Sequence, residues 1–262
     1  MTKTPIAYYG GKQSLLKSIL PLIPEHTVYT EAFFGGGAVF FAKAPVKSEV
    51  INDTNNMVVN FYEVVQTDFE NLKTKIELTP FSRTTYCVAY TIYRMPHLFP
   101  KLSQAWAFFV ATNMGFSGKI GGWAYDKYGK RSKNFRNKRM RFDDTIFDRL
   151  QFAEIECNDA CKVILSRDSK EAFHYVDPPY IDVNQGHYSG YTEVMYKGLL
   201  DTLSQVQGKF LLSSYHSEIL TRYTTQNGWC TKEITKPLVA SNAKDGKVRK
   251  KKVEVLTANY VI

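Results

Sequence analysis

The stretch TVYTEAFFGGGAVFFAKA, residues 27–44, joins a run of β-branched and aromatic residues to three consecutive glycines, Gly35 to Gly37, and then to an apolar segment able to start a helix. Strand, glycine turn and helix form the opening unit of a parallel sheet. Downstream, SEVINDTNNMVVNFYEVVQ, residues 48–66, repeats the scheme. Val50 and Ile51 end a short strand at Asn52-Asp53, and the apolar spacing predicts a helix from Asn56 to Gln66. Two such units in a row imply parallel strands joined by crossover helices. Upstream, GGKQSLLKSILPLIP places Leu15, Leu16, Ile19 and Leu20 at helical spacing, so a short helix follows the Tyr8-Tyr9-Gly10-Gly11-Lys12 turn and ends at Pro21 and Pro24.

The alternation then stops. Residues 67–149 read as mostly helical, with one long glycine-rich and basic interruption, NMGFSGKIGGWAYDKYGKRSKNFRNKRMRF. An insertion of this kind between strands is where recognition usually resides. Alternation resumes with FAEIECND, AFHYVDPPY, the helical TEVMYKGLLDTLSQV, and GKFLLSSYHS. The closing segments GWCTKEITKPLVAS and KKVEVLTANYVI are strands with no helix between them, so they pair antiparallel at one side of the sheet. The expected organisation is an α/β domain from residues 1–62 and 152–262, interrupted by a mainly helical domain at 63–151 that carries a basic loop or hairpin.

Charge is concentrated rather than spread. The chain has 262 residues and net charge +9. Residues 127–141 hold eight basic side chains and no acid, and GKVRKKK, residues 246–252, holds five more. These thirteen exceed the net charge, so the rest of the chain is mildly acidic. Concentrated patches suit a polyanion that docks in one place, and they nominate Lys130, Arg131, Lys133, Arg136, Lys138, Arg139, Arg249 and Lys250 as contacts. A solvated loop and a charged tail would look the same. Tyr128 and Phe135, interleaved with the cations, suit packing on bases or sugars, or anchoring of a hairpin. With 44% hydrophobic and 14% aromatic residues, the composition argues against disorder. No run approaches the ~20 apolar residues of a membrane span, and the first 20 residues lack the apolar core of a signal peptide. Cys87, Cys157, Cys161 and Cys230 show no paired CxxC spacing, which fits buried thiols in a reducing cytoplasm better than disulfides or zinc.

Glycines after a first strand let a backbone approach a ligand closely, and an acid ending the second strand accepts hydrogen bonds from a ribose. Gly35 to Gly37 and Asp53 occupy those positions; a tight connection and a helix-capping Asp would give the same pattern. Phe40 stands where a dinucleotide clamp needs its third glycine, which favours an adenosyl ligand without a phosphate. In Asp177-Pro178-Pro179-Tyr180, the two prolines can neither continue a central strand nor open helical hydrogen bonding, so they fix a rigid turn at the strand's C-terminal edge, where open α/β sheets bind ligands. Asp177 offers a carboxylate, Pro178 a fixed carbonyl and Tyr180 a flat ring. These suit an exocyclic aromatic amine: two acceptors gripping its hydrogens draw the nitrogen toward tetrahedral geometry and free its lone pair, while the ring stacks on the base, a contact worth ~1–3 kcal/mol. The plain alternative is that the prolines end a strand and Tyr180 packs in the core. Nothing in this chemistry requires a metal.

Four blocks now carry a family resemblance: AYYGGK with the helix after it, TEAFFGGGAVF followed by INDTN, YVDPPY, and RKKKVEVL. The chain resembles S-adenosylmethionine-dependent amino-methyltransferases, most closely the DNA adenine methyltransferases of the Dam family. The order of glycine motif, insertion and DPPY is similar to the alpha arrangement, with a recognition domain between the two halves of a Rossmann-like class I methyltransferase fold. The resemblance implies that Tyr8 and Lys12 contact S-adenosylmethionine, that Phe33, Phe34 and Gly35 form its pocket, that Asp53 holds the ribose, and that Asp177 lies beside both the methionine portion and the target amine, with Pro178 and Tyr180. It places NMGFSG, including Asn113 and Ser117, against the DNA backbone or the gap left by a flipped base. Tyr8 stands where the family often has tryptophan and Ser117 where asparagine is usual, and no arginine follows soon after Gly118, so the resemblance does not extend to recognition of GATC. The implied activity is methylation of adenine N6 in double-stranded DNA, in the cytoplasm of a bacterial or phage-infected cell. Methylation of cytosine N4, and a catalytically silent DNA-binding protein of the same fold, are the alternatives.

Overall fold

The computed structural model describes residues 3–180, 190–237 and 251–262. Among them, seven strands form one sheet: β1 (Val28–Glu31), β2 (Ser48–Asn52), β3 (Ala153–Glu156), β4 (Ala172–Val176), β5 (Lys209–Ser214), β6 (Cys230–Pro237) and β7 (Lys251–Ala258), in the order β3-β2-β1-β4-β5-β7-β6. The first five are parallel. β7 runs antiparallel to both β5 and β6, as expected for two strands with no helix between them. The helices are α1 (Leu16–Ile19), α2 (Ala38–Ala42), α3 (Asn56–Thr67), α4 (Phe69–Glu77), α5 (Arg83–Arg94), α6 (Lys101–Met114), α7 (Lys130–Arg139), α8 (Asp144–Leu150), α9 (Ala160–Ser166), α10 (Glu193–Leu203) and α11 (Glu218–Asn227).

The order of the strands decides where a site belongs. From β1 the chain moves outward through β2 to β3, then returns to place β4 on the other side of β1. β1 and β4 are therefore the topological switch point, and their C-terminal ends open a crevice. Register puts Glu31 beside Tyr175, so the glycine turn after β1 and the proline turn after β4 emerge side by side.

Helices cover both faces, which is why β4 is buried at every position. Alternate residues enter different clusters: Phe173, Tyr175 and Leu211 pack with α1, α3 and the helical insertion, while Val176, Phe210 and Leu212 pack with α9 and α10. The histidine at the centre of the sheet is paired on both ring nitrogens. His174 Nδ1 lies 2.7 Å from Thr30 Oγ1 and its Nε2 3.3 Å from Asp168 Oδ1, so this central-strand histidine is a satisfied core residue.

α4 to α8 form the insertion between α3 and β3. The insertion shares the core of the sheet. α6 packs on α3 and α5, bringing fully buried Phe108 and Phe109 against Phe61 and Phe142, each such ring contributing ~2–3 kcal/mol. At its far end, Arg149 pairs with buried Glu49 of β2, which also holds Lys43 at 2.5 Å.

One expectation is corrected. The basic segment read as a loop or hairpin is helical over Lys130–Arg139. The run KRSKNFRNKR contains neither glycine nor proline, and Asp126 supplies the missing start signal: its carboxylate accepts from the backbone N–H groups of Tyr128, Lys130 and Arg131, at 2.7, 3.1 and 2.6 Å. Phe135 is buried against Phe81 and Phe109 and fixes which face of α7 looks outward.

Candidate active site and DNA-facing surface

The glycine turn is held from both sides. Gly35 N donates to Asp53 Oδ2 at 2.8 Å, and Tyr62 Oη donates to Gly35 O at 3.2 Å. Gly35 has φ +48°, and a Cβ there would lie 2.6 Å from the Tyr8 ring. Gly37, with φ +62°, caps α2 where a Cβ would overlap the Phe34 ring. Only glycine permits this cradle. Asp53 Oδ1 also accepts from Asn55 N at 2.9 Å, the local backbone role open to a strand-end aspartate, and the residue lines the cleft. An ionised carboxylate has about four acceptor sites, leaving capacity for ribose hydroxyls. Burial pushes the Asp53 carboxyl up from its ordinary range, and these N–H donors pull against it. Asn52, which carries no motif signal of its own, spans the ends of three strands: its Nδ2 donates to Ala32 O and Asn158 O, and its Oδ1 accepts from Asn158 N.

Phe33 and Phe34 divide their duties. Phe33 lines the cleft edge-on to Tyr191, whereas Phe34 is buried, 4.7 Å from Tyr62, and supports the turn from behind. The Tyr8 to Lys12 turn closes the other wall. Gly11 N bonds Tyr8 O at 3.1 Å, Gly10 takes φ +79°, and Lys12 turns inward, only 4% exposed. Its Nζ donates to Gly10 O at 3.1 Å and lies 2.7 Å from Asp177 Oδ1.

Asp177 is the first residue after β4 and stands at the crevice beside the glycine turn. Burial pushes its carboxyl up, while Lys12 and Tyr180 stabilise the charged form. Tyr180 is fixed by its hydroxyl, which donates to Asp177 Oδ1 at 3.3 Å and shares a 3.0 Å hydrogen bond with Ser213 Oγ of β5. Tyr215 packs on its ring with centroids 4.3 Å apart, tilted by 60°. Tyr180 is thus a positioned wall of the site.

These groups line one cleft of about 1350 Å³, reaching from the Gly35 turn and Asp53 past Lys12, Asp177, Pro178 and Tyr180 to Lys138 and Arg141 of the insertion. Glu31 and Glu254 also line it; both lie in the quoted motif blocks, and the resemblance implies a role for neither. Glu31 ends β1, where its Oε2 accepts from Tyr29 Oη at 2.7 Å and Phe40 N at 3.0 Å. Burial pushes its carboxyl up to about 8. A buried acid inside an otherwise apolar strand is the signal that could have found it.

The expected DNA contacts separate into distinct groups. Lys130, Lys133 and Arg136 are exposed on α7. Arg131 lies over the ring of Phe116, which is 60% exposed on the short turn after α6. Arg139 instead donates to the carbonyls of Glu77 and Thr79 at 2.6 and 2.8 Å, closing the C-terminus of α4. Asn113 acts as a clip: its Oδ1 accepts from Ala7 N at 3.0 Å, and its Nδ2 donates to Phe109 O and Pro5 O. Gly118 packs on the backbone of Ala7 and Tyr8, where a Cβ would lie 3.0 Å from Ala7 O. Arg249 and Lys250, and the side chain of Ser117, lie outside the described residues. No helix among the described residues is long and apolar enough to cross a membrane.

Known DNA methyltransferases are similar to this chain. The chain is similar to the modification methylase StsI of Streptococcus sanguinis, 24% identical over 248 residues that cover 81% of this chain and 35% of that protein. It is 27% identical to the type II methyltransferase M1.LlaDCHI of Lactococcus lactis subsp. cremoris over 277 aligned residues, covering 96% of this chain and 93% of that protein. A segment of 65 residues, a quarter of the chain, is 38% identical to the DNA N-6-adenine-methyltransferase of Escherichia phage P1, of which it covers 8%. The chain thus spans about a third of StsI but nearly all of M1.LlaDCHI. The model of the D12 class of N6 adenine-specific DNA methyltransferases matches residues 8–243, and the chain belongs to that family.

Proposed function

We propose that this protein transfers a methyl group from S-adenosylmethionine to the N6 amine of an adenine in duplex DNA, with the target base turned out of the helix into the cleft. The observation that carries this reading is the juxtaposition, at one switch point, of the Gly35–Asp53 cradle and the Asp177-Pro178-Pro179-Tyr180 turn. The residues present fit the cofactor: a cradle that a Cβ would fill, an aromatic wall at Tyr8 and Phe33, a carboxylate at Asp53 with acceptor capacity toward a ribose, and Asp177 toward the methionine portion. Bound there, S-adenosylmethionine supplies a methyl group made electrophilic by its sulfonium.

The chain's own residues prepare the amine. Asp177 and the Pro178 carbonyl accept hydrogen bonds from its two N–H groups, Lys12 favours the ionised form of Asp177 for that task, and one amine proton passes to water once the nitrogen has gained the methyl group. Tyr180, pinned by Asp177 and Ser213, offers the base a fixed face. Positioning supplies much of the catalysis, because the amine's lone pair is useful only when aimed. Extruding the base costs a few kcal/mol of unstacking. The exposed Phe116 ring, on the same short turn as cleft-lining Gly118, fills the vacated stack, and residues 63–151 serve as the recognition domain, with the outward cations of α7 on the phosphates.

Incubating the purified protein with S-adenosylmethionine and duplex DNA, then digesting to nucleosides for mass spectrometry, tests the reading. N6-methyladenine is expected. N4-methylcytosine, or no modified base, would sink it. Calling methylated adenines genome-wide in cells that express the protein identifies the recognised site.

A further inference from the structure

The end of the cleft formed by the insertion carries Lys3, Lys138 and Arg141. Among the described residues, none of the three has a carboxylate partner. Lys138 is the informative member. It lies one turn after buried Phe135 on the same face of α7, so its stem runs along the core while its ammonium enters the cleft. That ammonium has three donors, and it gives one to a neutral acceptor, Thr4 O, at 3.3 Å. Burial, then Arg141, then Lys3 weaken its hold on a proton, bringing its pKa down to about 8.

A half-buried cation facing two others is unfavourable in isolation. An anion seated among them converts the mutual repulsions into attractions. Lys130, Lys133 and Arg136 are exposed on the same helix and carry no such penalty, so charge for solubility does not explain Lys138.

We propose that Lys138, Arg141 and Lys3 form a phosphate site that takes the DNA backbone phosphate flanking the extruded nucleotide. The proposal rests on the methyltransferase reading and adds how the target strand is held. A phosphodiester suits three cations from two separate segments better than the single carboxylate of a small cofactor does. α7 also presents exposed Lys130, Lys133 and Arg136 from the same helix, where they can hold the strand that leads to the cleft. Exposed Lys130, Lys133 and Arg136 hold the duplex wherever it lies, whereas half-buried Lys138, flanked at the cleft wall by exposed Lys3 and Arg141, takes the phosphate that accompanies an extruded nucleotide. It therefore rewards extrusion rather than encounter.

The test pairs protein variants with neutral methylphosphonates placed singly along both strands of a duplex, reading affinity by fluorescence anisotropy. In the wild-type protein one position in the target strand should weaken binding about tenfold. In Lys138→Gln/Arg141→Gln, native DNA should bind about tenfold less tightly, and the penalty at that one position should vanish while others persist. Lys138→Arg, which keeps the charge, should restore the positional penalty, and cofactor affinity should stay within about twofold. The double variant keeping the full penalty at every position would overturn the proposal. So would a loss of cofactor affinity with DNA affinity intact, which would make the cofactor carboxylate the anion. N6 methylation by the wild-type protein is measured in parallel and does not enter the binding comparison, so failure of the proposed reaction is read separately from failure of the phosphate site.

Discussion

Lys12 Nζ lies 2.7 Å from Asp177 Oδ1, joining the first motif of the chain to the one that follows the insertion. Lys12 is buried and Asp177 half-buried, so each is the other's main compensation. Burial raises the Asp177 pKa and Lys12 opposes that rise. Lys12→Met should therefore move the acid limb of the kcat/KM profile to higher pH. An unmoved limb would show that the ion pair does not set the working state of Asp177.

Asp177→Asn keeps the shape of the residue and removes its charge. Methyl transfer should fall by about 10²-fold or more, the scale for removing one preorganised partner of the reacting group, while DNA affinity changes little. Single-turnover methylation and anisotropy separate the two effects. Turnover close to wild type would end the role assigned to this carboxylate.

Lys130→Gln/Lys133→Gln/Arg136→Gln removes exposed charge alone. The slope of log affinity against log salt should shrink by about 0.9 for each phosphate that the variant no longer neutralises, without preference for any one phosphate. An unchanged slope would return these residues to the status of a solvated surface.

Phe116→Ala removes a ring that is 60% exposed, so the melting temperature should hardly move. Methylation should nevertheless drop about tenfold, and less so when the target adenine is mispaired, because a weakened pair costs less to open. Equal losses on paired and mispaired targets would argue against a wedge.

Glu31 holds its proton to about pH 8 in the folded protein, against an ordinary glutamate value of 4.5. The folded state thus binds a proton that the unfolded chain releases across this window. Stability from this group is present in full below pH 4.5 and is lost as pH rises toward 8. Glu31→Gln should flatten the decline, leaving the variant relatively more stable at pH 8 than at pH 5. Parallel thermal unfolding curves at both pH values would refute the assignment.

The parts of the site legible in the sequence are those in which local chemistry is self-announcing. Three glycines after a strand, an acid at the next strand's end and two prolines after a third each restrict the backbone by themselves, and the sheet brings them together at the switch between β1 and β4. What stays hidden depends on partners far along the chain. Arg139 reads as one more cation until the Glu77 and Thr79 carbonyls, 62 and 60 residues away, are placed beside it. Asn113 reads as a polar contact until Ala7, 106 residues earlier, meets its amide. α7 reads as a loop because its start lies in the Asp126 carboxylate, outside the helical run itself. Ser213 gains its partner, the Tyr180 hydroxyl, only when β5 is set beside β4.

The Asn113 clip and the close seat of Gly118 on Ala7 and Tyr8 also bear on how such a protein acquires a new target. The insertion is not an interchangeable cassette. An insertion taken from another protein would bring its own fastening geometry to the loop that carries Tyr8 and Lys12, and would shift those two residues against Asp177. The outward side chains of α7, Lys130, Lys133 and Arg136, take no part in that fastening and can be changed without disturbing it.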